Sequence, residues 1–183
     1  RLLEILLDRA SELGVRLQFD TDAAELSVFS DSDLIVAADG VNSRIRTDRA
    51  DFFKPDIEVG RSPYTWLATP RIFPAFTFIV RQNAHGVFQV HAYPFDEATS
   101  TFIVETDDAT WRRAGLDTAT ERESVAYCEE LFAPELEGHP LLSNKSAWIK
   151  FRHVRCETWR HGNIVLIGDA AHTERLGRAS RHA

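Results

Sequence analysis

Apolar residues at the start of the chain recur at helical spacing. Leu2, Leu3, Leu6, Leu7, Ala10 and Leu13 fall on one side, and Glu4, Asp8, Arg9, Ser11 and Glu12 on the other. That spacing predicts an amphipathic helix, ended at Gly14 because glycine enters the left-handed conformation without strain. The period then falls to two: Val15, Leu17 and Phe19 alternate with Arg16 and Gln18, which predicts a half-buried strand, and residues 26–29 predict a second short one. Residues 34–38 are apolar without alternation and run into Asp39-Gly40, the pattern of a central strand covered on both faces. A helix followed by a buried strand ending in Asp-Gly suits a nucleotide-binding α/β sheet, where ligands sit beyond the carboxyl ends of the strands.

After about Asp51 the pattern changes. Aromatic and β-branched residues dominate, and strands are predicted over residues 64–68, 75–81, 87–93 and 101–105. Turn-like connectors separate them, so an antiparallel meander is the simplest arrangement. A short helix near residues 109–114 is closed by Gly115. A longer one starts at a capping box of Thr120 and Glu123, runs through Val125, Cys128, Leu131 and Phe132, and stops at Pro134. Both helices are expected to cover one face of the meander. Residues 148–155 predict a further strand, and Ile164-Val165-Leu166-Ile167 another that leads directly into Gly168-Asp169-Ala170-Ala171-His172. The expected organisation is therefore a first α/β part over residues 1–50, a β-rich part over 51–160, and a return to the first sheet over 161–183.

Composition narrows the function classes. With 183 residues and 44% apolar content the chain can form a substantial core. The formal net charge of −7 offers no cationic surplus for a phosphate backbone, so nucleic acid is not expected as a partner. No apolar run reaches the roughly 18 residues of a membrane span. Two cysteines without a CxxC pair suit a reducing compartment, and the absence of a signal-like start makes the cytoplasm the expected location. The chain contains no methionine, not even at position 1, and is expected to be part of a longer protein.

Two motifs carry candidate chemistry. The first, Asp39-Gly40-Val41-Asn42-Ser43-Arg44-Ile45-Arg46, has the form D-G-x-x-S-x-x-R directly after a strand. Gly40 allows close backbone approach, Asp39 can accept a sugar hydroxyl or simply hold the turn, and Ser43 belongs to the same turn. Arg46 offers a guanidinium fork of the kind that pairs with phosphate. In the second motif Gly168 and Ala170 leave room beside the backbone, Asp169 can hold a polyol hydroxyl, and N–H groups at a helix start favour an anion.

Taken together, in this order and at these strand ends, the motifs resemble those of the FAD-dependent aromatic monooxygenases of the para-hydroxybenzoate hydroxylase type. The resemblance implies an α/β fold, α+β overall: a Rossmann-like FAD-binding domain, incomplete here, with an inserted antiparallel β-rich substrate domain. It implies that residues 39–46 lie near the FAD pyrophosphate and take part in the use of NAD(P)H, and that Asp169 binds a hydroxyl of the FAD sugar-alcohol chain. The implied cofactor set is FAD with NAD(P)H as co-substrate. The implied reaction is hydroxylation of a small aromatic substrate with O2 through a flavin hydroperoxide, chemistry that belongs to the cofactor, so no catalytic side chain is assigned. A finer resemblance, in residues 75–79, 86–93 and 100–106, is to members that hydroxylate aromatic acyl-CoA thioesters such as salicylyl-CoA or 2-aminobenzoyl-CoA.

Two features depart from the family pattern. The chain has no G-x-G-x-x-G turn for the ADP half of FAD, and its last residues, 174–183, lack the Pro- and Gly-containing loop that touches the flavin ring. On this basis the isolated chain is expected to be inactive, with exposed strand edges where sheet neighbours are missing. Two other readings stay open: a reductase or halogenase of the same superfamily, and a non-catalytic remnant that no longer binds FAD. The seven histidines show no HxH or HExxH spacing, so no metal is expected. His91 and Tyr93 share one strand face, expected to pack on the helices rather than to line a pocket, and the four tryptophans are expected at the core or its boundary.

Overall fold

In a computed structural model, which describes residues 2–23 and 25–173, the chain forms two sheets with separate apolar cores. The reading of residues 174–183 lies outside the described residues. Helix α1 (Leu2–Glu12) forms where the spacing predicts it, and Gly14 follows with φ of 74°. The strand expected at residues 15–19 is absent. Val15 and Phe19 are exposed, and among the described residues no strand lies alongside to complete a ladder. The strand expected at 26–29 is a 3-10 turn, Leu26–Phe29.

The first sheet is small. Strand β1 (Ile35–Ala37) leads through the Asp39–Arg46 turn into the short helices α2 (Arg44–Asp48) and α3 (Ala50–Phe53). Four strands then follow: β2 (Pro55–Thr69), β3 (Thr77–Asn83), β4 (Gly86–Pro94) and β5 (Ser100–Thr106). Helices α4 (Asp108–Arg113), α5 (Glu121–Leu131) and α6 (Ala133–Leu136) come next. The chain ends its described course with β6 (Ile149–Cys156), β7 (Arg160–His161), β8 (Ile164–Leu166) and a 3-10 turn, Gly168–Ala170.

Strand β1 pairs in parallel with β8, Ile35 opposite Ile164 and Ala37 opposite Leu166, in a sheet of order β1-β8-β7. Among the described residues the apolar run at 34–38 therefore has a strand on one side only. Among the described residues β1 lies at the edge and Val36 is half exposed, because β8 is its one neighbour.

The second sheet has the order β3-β4-β5-β2-β6. Strands β3, β4 and β5 form the expected meander, but β2 joins it at β5 rather than at β3. The first half of β2 carries Pro55, Gly60 and Pro63 and reads as a loop in sequence. It forms a strand by pairing with β6, which lies at the sheet edge, across an irregularity between Val59 and Pro63. Alternate residues of the sheet, Ile79, Phe88, Val90, Phe102 and Val104, meet Leu116, Cys128, Phe132 and Leu136 from the helical segment in one buried core. The capping box at Thr120 forms as expected, the Thr120 hydroxyl accepting from the Glu123 amide while the Glu123 carboxylate accepts from the Thr120 amide. At the β3–β4 turn Gly86 is required twice over: its φ is 140°, and a Cβ there would lie 2.1 Å from the Thr110 hydroxyl.

His91 and Tyr93 do not pack on the helices. Phe88, Val90 and Ala92 take that face of β4, so strand alternation turns His91 and Tyr93 to the other side. Trp66 and Trp159 are also exposed, whereas Trp111 and Trp148 pack at the core boundary.

Truncating Phe102, fully buried between Phe73 and Phe132, to alanine is expected to cost about 3–5 kcal/mol by urea denaturation. Several caps also make stability pH-dependent. Hydrogen bonds from Thr110 hold Asp107 below its ordinary carboxylate range, those from Thr99 and Ala98 lower Asp96, and those from Thr120 lower Glu123. Because the folded values lie below the unfolded ones, this contribution is present above about pH 4 and lost as pH falls through the folded values. A urea midpoint that drops on acidification, less steeply in Asp107→Asn, is the expected result.

Candidate functional site

The ends of β1 and β8 lie side by side, so the two motifs that follow them are neighbours in space. Asp39 holds its own turn. One carboxylate oxygen accepts from the Arg44 amide at 2.9 Å and the Ile45 amide at 3.3 Å, which stops the chain unwinding after Gly40, whose φ is 77°. Ser43 is fully buried and caps α2, its hydroxyl accepting from the Arg46 amide at 3.0 Å.

Arg46 is 2% exposed. Its guanidinium donates to the carbonyl of Val41 at 2.6 Å and, across the sheet, to those of Ala170 at 2.9 Å and Asp169 at 3.4 Å. The fork read from the sequence as a phosphate ligand is thus directed at three backbone carbonyls and joins the first motif to the second. Its Nε is buried without a hydrogen-bond partner among the described residues. The nearby Cys156 thiol is pushed up by burial, with the Arg46 charge acting in the opposite direction.

In the second motif the expected helix start is a single 3-10 turn. Gly168 has a φ of 56°, and nothing lies within 4 Å of where its Cβ would be. Ala170 is buried beneath the turn, while Asp169 is exposed, its carboxylate without a hydrogen-bond partner among the described residues. The turn is anchored on its far side, where the Val154 amide donates to the Thr173 hydroxyl at 2.8 Å and that hydroxyl donates to the Arg152 carbonyl at 2.9 Å.

A cleft of about 920 Å³ opens where these parts meet. Val41 and Asn42 from the first motif and Gly168 and Asp169 from the second line one side, and Tyr64 and Phe151 from the second sheet line the other. The two rings stack at 4.2 Å, and burial raises the Tyr64 phenol above its ordinary range, so it stays protonated. Lys150 also reaches the cleft and is paired with Asp108, whose carboxyl is held low first by Lys150 and then by Arg112. Tyr64, Phe151 and Lys150 were not legible as site residues, because nothing in their local pattern separates them from ordinary strand positions. Among the described residues no group of three or more potential metal ligands gathers anywhere.

The FAD binding domain family model matches residues 30–175, which takes in both motifs and everything between them. The chain belongs to this FAD binding domain family. The chain is 42% identical over 180 residues to salicyloyl-CoA 5-hydroxylase of Streptomyces sp, covering 94% of this chain and 35% of that protein. It is 38% identical to 3-hydroxy-4-methyl-anthranilyl-[aryl-carrier protein] 5-monooxygenase of Streptosporangium sibiricum, covering 94% and 44%. The chain therefore spans between about a third and a half of the length of these curated relatives. Among solved structures, the tetrameric form of 2-methyl-3-hydroxypyridine-5-carboxylic acid oxygenase matches with a TM-score of 0.56 at 22% identity, over 76% of this chain and 38% of that one, a likeness of fold. Among the described residues no helix is long and apolar enough to cross a membrane.

Replacing Arg46 by methionine would leave three carbonyls without their donor. The expected loss is about 2–4 kcal/mol, against less than about 0.5 kcal/mol for Asp169→Ala at its exposed position. Urea denaturation of both variants measures the contrast.

Proposed function

We propose that this chain is the part of an FAD-dependent, NAD(P)H-using monooxygenase that holds the flavin against the substrate sheet, and that the whole protein hydroxylates a small aromatic substrate with O2. The observation that carries the reading is Asp169. A carboxylate without a partner among the described residues lines the cleft, next to a glycine whose backbone is open to approach, on a turn fixed from behind by a buried arginine.

These residues fit the cofactor. Asp169 can accept a hydrogen bond from a hydroxyl of the sugar-alcohol chain, Gly168 and Gly40 let a ligand come up against the backbone, and Asp39 and Ser43 act by keeping the first turn closed. Arg46 acts through Ala170 and Val41, setting the separation of the two turns. FAD, when bound, would supply the redox chemistry that links NAD(P)H to O2. The protein's share is to position the ring systems and keep water out, and the stacked Tyr64 and Phe151 serve that end in the cleft wall.

A division into an FAD-binding part, residues 1–50 and 161–183, and a substrate part, residues 51–160, is in keeping with two separate cores, with Phe53, Val154 and Cys156 of the substrate part packing into the first. The relatives whose names include an acyl-CoA or an aryl-carrier protein favour an aromatic thioester as substrate. Two free, buried cysteines are in keeping with a cytoplasmic location.

The test is the visible absorption of the full-length natural protein. A bound-flavin spectrum is expected, falling to about a tenth or less of the flavin content in Asp169→Ala while the far-UV circular dichroism is unchanged. A well-folded wild-type protein that stays colourless after FAD is added would overturn the reading, and unchanged flavin content in the variant would remove Asp169 from it.

A further inference from the structure

The chain beyond the second motif does more than leave the Gly168–Ala170 turn. It runs antiparallel along the outer edge of β6, the last strand of the second sheet. The Cys156 amide donates to the Ala171 carbonyl at 3.3 Å, His172 lies opposite Arg155, and the Thr173 amide donates to the Val154 carbonyl at 3.0 Å. The Thr173 side chain then extends the pairing. Its hydroxyl accepts from the Val154 amide and donates to the Arg152 carbonyl, so one residue satisfies both backbone groups of Val154 and one of Arg152. A hydroxyl has a single proton, and here that proton is committed to a carbonyl while a lone pair takes an amide, so no second orientation keeps both bonds.

These bonds join the two walls of the cleft. On the strand side Lys150, Phe151 and Arg152 line it, and Phe151 stacks on Tyr64. On the motif side Gly168 and Asp169 line it. The amides of Ala171 and His172 donate to the Gly168 carbonyl at 2.9 and 3.0 Å, so residues 168–173 form one hydrogen-bonded piece. Arg46 ties that piece to the first motif, and Thr173 ties it to the second sheet. Without the hydroxyl, the Val154 amide and the Arg152 carbonyl would lose their partners at the sheet edge, next to Phe151. Val154 itself is 1% exposed and does not line the cleft, so a ligand there acts on its amide through the chain that covers it.

We propose that Thr173 is a positioning residue for the flavin: its hydroxyl couples the Asp169 turn to the cleft strand, so that the cofactor held by the turn and the Tyr64–Phe151 wall keep one separation. The inference rests on the cleft being the flavin site, and it deepens that reading by naming the residue that sets the width of the site. The coupling is reciprocal. A flavin that stabilises the turn must also stabilise the edge of β6, and removing the hydroxyl breaks that link while leaving Asp169 able to hold the cofactor.

The experiment uses the full-length natural protein, loaded with FAD and stripped of it. In the wild type, FAD is expected to slow hydrogen exchange at the Val154 amide and across residues 149–153 by about fivefold or more, the factor that one net hydrogen bond carries. Thr173→Val keeps the shape of the side chain and loses the hydroxyl. It is expected to retain flavin within about twofold of the wild type, to change the visible circular dichroism of the bound flavin, and to cut the FAD-dependent slowing across residues 149–153 to less than about twofold. Thr173→Ser should restore both signatures. A merely structural role would speed exchange alike with and without FAD and leave the dichroism of each bound flavin as it was. A flavin-loaded wild type whose Val154 amide exchanges as it does without FAD would overturn the inference, whether or not the variants fold. So would Thr173→Val matching the wild type in flavin dichroism or in exchange ratio, a folded Thr173→Val that loses its flavin, or a Thr173→Ser that restores neither signature. In each of these cases the cofactor reading stands, whereas a wild-type protein that binds no FAD sinks both.

Discussion

The site depends on one buried guanidinium. The ladder between β1 and β8 is three residues long, and by itself it leaves the two turns beyond the strands free to move relative to each other. Arg46 removes that freedom by donating to Val41 on its own side and to Asp169 and Ala170 on the other. No carboxylate pairs with it among the described residues, so its charge is compensated by carbonyl dipoles alone. That is a costly way to bury an arginine, and removing the side chain would also orphan its acceptors. It leaves an unneutralised positive charge behind the Gly168–Ala170 turn, in a medium less polarisable than water. An anionic ligand in the cleft would feel that charge without touching the residue that carries it.

A second constraint ties the two sheets together. The early part of β6 pairs with β2 and lends Ile149 and Phe151 to the cleft, while Val154 and Cys156 at its end enter the core beneath β1 and β8. Thr173 fastens the chain after the second motif to the same strand through Val154 and Arg152. One strand therefore joins the second sheet to the core beneath the first, and the cleft lies along it. The distance between the Asp169 turn and the Tyr64–Phe151 wall is set by packed backbone rather than by a flexible linker.

Much of this was legible in the sequence where the cause was local. The helix at Leu2–Glu12, the Thr120–Glu123 capping box, the β3-β4-β5 meander and the two motifs at strand ends all follow from spacing and turn chemistry within a few residues. The misreadings fall where the outcome depends on a distant partner. Val15 to Phe19 alternates as a strand does, but alternation specifies a face and not a neighbour. The prolines and glycine of early β2 argue against a strand until β6 is there to pair with it. Arg46 was found, but sequence shows a fork and a nearby turn and not the carbonyls of a loop more than a hundred residues later, to which it donates. The Tyr64–Phe151 pair could not be found at all, for the same reason.

The sheet face turned away from the helices shows why period-two reasoning points the wrong way at His91 and Tyr93. Strand β4 places Phe88, Val90 and Ala92 on one side and Val87, Gln89, His91 and Tyr93 on the other, and an antiparallel sheet covered on one face ordinarily puts its more polar residues on the second. The helices cover one, and nothing among the described residues covers the other. Rings held stacked at a solvated surface gain little from burial, and an exposed patch of them invites association. The cleft at Tyr64 and Ile149 opens onto this same face, one row of residues away.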